Sequence, residues 1–97
     1  MIQLTGKQKR HLRSLGHHLE PALMVGANGV GEGVIRELDA GLSVHELVKV
    51  RLGQGCNLGR KEVAEMLAIA TDAAVAQILG KTILFYRPAA KPKLKLP

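Results

Sequence analysis

Four histidines, one cysteine and eight carboxylates are the side chains that could carry catalysis in this chain of 97 residues. His11, His17, His18 and His45 are the candidate general bases. Three of them fall on or just after a leucine-patterned basic segment. His17 and His18 are adjacent, so on a helix they diverge instead of converging on a metal. Cys56 could act as a nucleophile only with a base beside it, and it lies in a glycine-rich loop where the sequence fixes no partner. Glu37, Asp39 and Glu46 read as solvent-facing residues. No spacing assembles a catalytic or metal site, and the expectation is a non-enzymatic protein with no cofactor and no metal. A small hydrolase using Cys56 and a histidine is the enzymatic alternative.

A different chemistry is offered by MVGANGVGEG, residues 24 to 33, which holds four glycines. Glycine costs roughly 0.5–1 kcal/mol relative to alanine inside a regular element, so the cluster needs a use. Either it makes a tight turn, or something must approach the backbone closely. A strand, then Gly26-Ala27-Asn28-Gly29, then a helix is an arrangement in which backbone N–H groups meet a phosphate. The dinucleotide fingerprint GxGxxG is not matched, because the glycines stand at 26, 29, 31 and 33, and no Gly-Lys-Ser/Thr ends the loop as in a P-loop. What remains is GxxG, a loop that lets an RNA or single-stranded DNA backbone come close.

Charge points the same way. Lys and Arg number 14 against 8 Asp and Glu, a formal net charge of +6. The excess sits at the ends: Lys7, Lys9, Arg10 and Arg13 face only Glu20 among the first 20 residues, and Lys81, Arg87, Lys91, Lys93 and Lys95 have no acid after them or between them. Such asymmetry marks a polyanion partner, with solubility alone as the plain alternative. Another alternative is a docking module whose basic face meets an acidic protein. Only Phe85 and Tyr86 are aromatic, and as neighbours on a strand they point to opposite faces, so no stacking platform for bases is expected. A single cysteine excludes an internal disulfide and suits a reducing compartment. The N-terminal MIQLTGKQKRHLRSL places charges where a secretory signal needs its apolar centre, and no run approaches a membrane span. A cytoplasmic monomer with no membrane contact is the expectation.

The elements that must position these residues follow from periodicity. Leu12, Leu15 and Leu19 recur at helical spacing behind Thr5, a suitable N-cap, with Lys9, Arg10, Arg13 and His17 opposite. Ala22 to Val25 reads as a short buried strand. Val34, Ile35, Leu38 and Leu42 mark a second helix of about three turns. HELVKVRL, residues 45 to 52, alternates: Val48, Val50 and Leu52 face one way, and Leu47, Lys49 and Arg51 the other. Lys49 and Arg51 either extend a cationic surface or simply line a solvated sheet face. Residues 53 to 59 form a loop, Arg60 to Thr71 a third helix, and Ala74 to Leu79 with Thr82 to Arg87 a hairpin turning at Gly80-Lys81. The order αβαβαββ predicts one two-layer α/β domain over residues 1–90 with a four-stranded mixed sheet, followed by a flexible basic tail over 91–97.

LTGKQKRHLRSLGHHLEPALMVGANGVGEGVIREL, then HELVKVRL, then GKTILFYRP resemble the CRM domain, named for chloroplast RNA splicing and ribosome maturation, and in particular its stand-alone bacterial YhbY type. The resemblance spans about residues 2 to 90. It implies a fold similar to the C-terminal domain of translation initiation factor 3. It also implies RNA binding, since bacterial members associate with precursors of the large ribosomal subunit and plant organelle relatives serve intron splicing. A ribosomal RNA precursor or the large-subunit precursor particle is the implied partner. The family's GxxG loop falls on Gly26, Ala27, Asn28 and Gly29, and its basic helix on Lys7, Lys9, Arg10 and Arg13. One departure is Gly31, where the family usually has Thr or Ser, so the second helix loses a side-chain cap at a cost of a few tenths of a kcal/mol.

Overall fold

The computed structural model describes residues 2–97. Its elements run α1 (Gly6–Gly16), β1 (Leu23–Val25), α2 (Glu32–His45), β2 (Leu47–Leu52), α3 (Arg60–Thr71), β3 (Ala74–Leu79) and β4 (Thr82–Tyr86). The sheet order is β1-β2-β4-β3, with β1 parallel to β2 and both contacts of β4 antiparallel. This is the mixed α/β fold with three helices and a four-stranded mixed sheet that the pattern predicts.

Alternation along β2 decides the layering. Val48, Val50 and Leu52, with Ile83 and Phe85 of β4, join Leu38 and Leu42 of α2 and Val63 and Leu67 of α3 in one core. Leu47, with Leu84 and Tyr86 of β4, joins Leu12 of α1 in a second cluster. Because neighbouring strand residues point to opposite faces, α1 covers one face of the sheet and α2 with α3 the other. The expectation of two layers is therefore corrected to three.

The first helix begins as its sequence dictates. The Thr5 hydroxyl accepts from the Gln8 N–H at 3.1 Å and the Gln8 side chain accepts from the Thr5 N–H at 3.0 Å, a reciprocal capping box. Its buried stripe differs from the leucine pattern. Leu12 is fully buried, but Leu15 and Leu19 are 37% and 38% exposed. The second buried position is Gly16: a Cβ there would stand 2.6 Å from Leu84 Cδ2, so the helix lies flush on the sheet and any side chain at this point would force Leu84 to shift.

Glu46 is the other departure. Read as a wet-face residue, it is 1% exposed, and its carboxylate accepts N–H bonds from Ala89 (2.9 Å), Lys93 (2.7 Å) and Leu94 (2.9 Å). Burial pushes its carboxyl up, but these three donors and the Lys93 charge outweigh that and hold it below its ordinary value. A depressed carboxyl stabilises the fold at pH above the ordinary value of 4.5, and that stabilisation is lost as pH falls through the lower folded value. Denaturant titrations from neutral pH downward should show stability dropping below pH 4.5, with a shallower drop in Glu46→Gln. Equal slopes in the two proteins would contradict the assignment.

The segment read as a flexible tail is anchored by the same residue. Leu94 and Leu96 also pack against the Leu12 cluster, covering Tyr86.

Candidate nucleic-acid interface

The glycine stretch sits at the C-terminal end of β1. A β-turn closes it, with the Gly29 N–H donating to the Gly26 carbonyl at 3.0 Å. Gly29 takes φ +67°, the left-handed region that a side chain disfavours, so the tight-turn reading accounts for this glycine. It does not account for the others. Gly26, Gly31 and Gly33 have no positive φ, and a Cβ on any of them would meet nothing within 4 Å. Among the described residues the N–H groups of Gly26, Ala27 and Asn28 reach no acceptor within the chain. Gly31 is the N-cap of α2 and supplies no side-chain cap, so donors of the helix's first turn face outward as well.

The loop from Gly53 to Gly59 supports this turn from behind. The Gly53 N–H donates to the Val25 carbonyl at 2.8 Å, and a Cβ on Gly55 would press on Ala27 Cβ at 3.2 Å. Cys56 belongs to that support: half-buried, its thiol donates to the Leu58 carbonyl at 3.7 Å and packs on the main core. Neither it nor the histidines assemble a centre. His17 and His18 meet edge to face at 5.4 Å, and among the described residues no group of three or more His, Cys, Asp or Glu could hold a metal.

The candidate cations are placed unevenly. Lys7, Lys9, Arg10 and Arg13 lie on α1 and enter no ion pair among the described residues. Arg13 and His17 line a groove of about 350 Å³ against the sheet, whose floor includes Lys49, Gln77 and Thr82. Lys49 is partly committed, since its ammonium donates to the Leu19 carbonyl at 3.0 Å and fastens the α1–β1 connection. Arg51 is exposed two residues further along the same face, beside Met24 of β1 and next to the glycine turn. The fold thus brings Arg13 and Lys49 together and sets Arg51 between them and residues 26 to 29. Lys9 instead lines a cleft with Lys61, Ile69 and Ile78 beside β3, at the far edge of the sheet from β1.

Two further cations, Arg60 and Arg87, have structural posts. Arg60 donates to the Gly80 carbonyl at 3.2 Å. Arg87 donates to the Asp39 carboxylate (2.6 Å), the Asp39 carbonyl (3.0 Å), the Ser43 hydroxyl (2.8 Å) and the Thr71 carbonyl (2.6 Å), tying β4 to α2 and the end of α3. Asp39, read as a wet-face residue, is the other half of this clamp. Phe85 is fully buried and Tyr86 is 4% exposed, so neither aromatic ring offers a stacking surface. Burial, then the Glu46 charge, pushes the Tyr86 phenol up.

Fold and surface together define a small basic α/β module with an uncovered glycine turn and no helix long and apolar enough to cross a membrane among the described residues. The model of the CRS1 / YhbY (CRM) domain matches residues 4–87, and the chain belongs to this family. A Haemophilus influenzae protein named "RNA-binding protein" is 37% identical over 97 residues, covering 100% of this chain and 98% of that one. The Bacillus subtilis protein named "Probable RNA-binding protein YqeI" is 40% identical, over 97% and 99% of the two chains. The solution structure of the hypothetical protein SAV1595 from Staphylococcus aureus superposes with a TM-score of 0.84 at 41% identity, covering 98% of this chain and 100% of that one. These curated relatives carry names of RNA-binding proteins and not of enzymes.

Proposed function

We propose that this protein binds RNA without catalysis, offering the backbone N–H groups of Gly26, Ala27, Asn28 and the start of α2 to phosphates. Arg13, Lys49 and Arg51 extend that contact across the sheet face, and Lys7, Lys9 and Arg10 add to it from α1. The observation that carries the reading is that Gly26, Gly31 and Gly33 are not required by the fold: their φ angles suit any residue and the space around them is open. Where neither conformation nor packing calls for glycine, a bare backbone serves a close approach from outside. The names of the relatives support RNA as the partner. With no exposed aromatic ring, recognition rests on backbone and shape instead of base sequence.

The precursor of ribosomal RNA or of the large subunit is the RNA we assign, which makes the protein a monomeric assembly factor in the cytoplasm. In a lysate gradient it should migrate with large-subunit precursors at low salt and leave them at high salt. Sedimentation with free proteins at every salt concentration, with no RNA recovered, would contradict the assignment.

Replacing Lys9 and Arg13 together by Gln should weaken binding to all RNA sequences alike. Two lost phosphate contacts reduce the log–log salt slope by about 1.4, at roughly 0.7 per contact on a single strand. Loss on one sequence alone would show that these residues read bases.

A further inference from the structure

The chain after β4 carries cations that the interface above does not use. Lys91, Lys93 and Lys95 are exposed, whereas Leu94 and Leu96 are half-buried, so the segment KLKL alternates between an outer and an inner side. The inner side packs on the cluster of Leu12 and Tyr86, and the Gln8 side chain donates to the Pro97 carbonyl at 3.3 Å, one residue from Lys7. The strap therefore lies on the same sheet face as α1. Its mooring is costly. Glu46 adopts φ +66° and ψ −34°, a sparsely populated conformation for a non-glycine residue, and places a buried carboxylate on three N–H groups of the strap. A cover for Tyr86 would need only the two leucines. What the carboxylate adds is a fixed position for the lysines that flank and separate them. No acidic side chain follows Asp72 in the chain, and Glu46 itself is turned inward, so the charged side chains on the outer side of the strap are all cationic.

We propose that this strap is a second phosphate-binding surface, in which Glu46 holds Lys91, Lys93 and Lys95 beside α1 as a continuation of its basic face. The proposal rests on the RNA-binding reading above and adds a defined surface to it. A mobile tail would attract RNA through charge alone. A moored one loses less freedom on binding, so position matters as well as charge.

The test is affinity of the full chain for a labelled single-stranded RNA, in wild type and three variants, with circular dichroism to establish folding. Lys93→Gln with Lys95→Gln removes charge, and should lower affinity about tenfold at 0.1 M salt, consistent with two contacts of roughly 0.7 each in salt slope. Glu46→Gln unmoors the strap while raising net charge, and should also bind several-fold more weakly. Leu94→Gln with Leu96→Gln unmoors it by a separate route, leaves every charge in place and should match Glu46→Gln. If both unmoored variants bind like wild type, the lysines act as a loose tail and the proposal fails, while RNA binding stands. If wild type itself binds no RNA, the functional reading fails and takes the strap with it.

Discussion

Gly26→Leu should weaken RNA binding tenfold or more, about 1.4 kcal/mol, and leave the fold at least as stable as before. The two halves of that result come from separate observations. Gly26 has ordinary backbone angles, and a Cβ placed on it would have nothing within 4 Å, so leucine strains nothing. Removing a glycine also stiffens the unfolded chain, worth about 0.4–1 kcal/mol in favour of the fold. The side chain would nevertheless stand where a phosphate has to reach the N–H groups of residues 26 to 28. Gly29→Leu should behave differently, because φ +67° disfavours any side chain by roughly 1–2 kcal/mol and the turn itself would loosen. Asn28→Asp gives a third signature, repelling phosphate through charge with no change in shape. Unchanged affinity in Gly26→Leu would remove the turn from the interface.

The largest loss of stability should come from Arg87→Ala, which deletes four hydrogen bonds at the junction of β4, α2 and α3. The Asp39 side chain is 57% exposed, so its ion pair is screened and contributes little by itself. The Arg87 side chain is only 18% exposed, and its part-buried bond to the Thr71 carbonyl is the one water replaces poorly, whereas its bond to the Asp39 carbonyl is exposed. Thr71 ends α3, where a cation also meets the negative end of the helix dipole. Losing a charged donor to such partners costs about 2–3 kcal/mol. For a domain of this size that is roughly 10–20 °C in Tm. Arg87→Lys should recover only part of it, since an ammonium cannot fork between two helices. RNA affinity measured on the folded protein should not change. Wild-type stability with weakened RNA binding would instead make Arg87 a phosphate contact.

The parts of this protein legible from its sequence are those set by local rules. Thr5 as the first helix's N-cap, the third helix from Arg60 to Thr71, the turn at Gly80-Lys81 and the uncapped Gly31 are all where residue type and spacing put them. The alternation of β2 was legible too, but not that Leu47 meets a helix on its own side, because periodicity reports burial and not what covers it. Leu15 and Leu19 misled for a related reason: Gly16 carries no hydrophobic signal, yet close approach at that point turns the leucines to the flank. Glu46 and Arg87 were illegible because their partners lie as far as 43 to 48 positions away in the chain, beyond any local pattern. Within the candidate interface, the turn and its free glycines could be found from sequence. That Lys49 is half committed to Leu19, while Arg51 lies open beside the turn, could not.

The claim that RNA reaches the bare backbone at residues 26 to 29 is tested most directly by backbone amide NMR during titration with RNA. The amides of Gly26, Ala27, Asn28 and the first turn of α2 should shift or broaden first, followed by those near Arg13, Lys49 and Arg51. Shifts confined to the cleft between α3 and β3, with residues 26 to 34 unmoved at saturation, would contradict it.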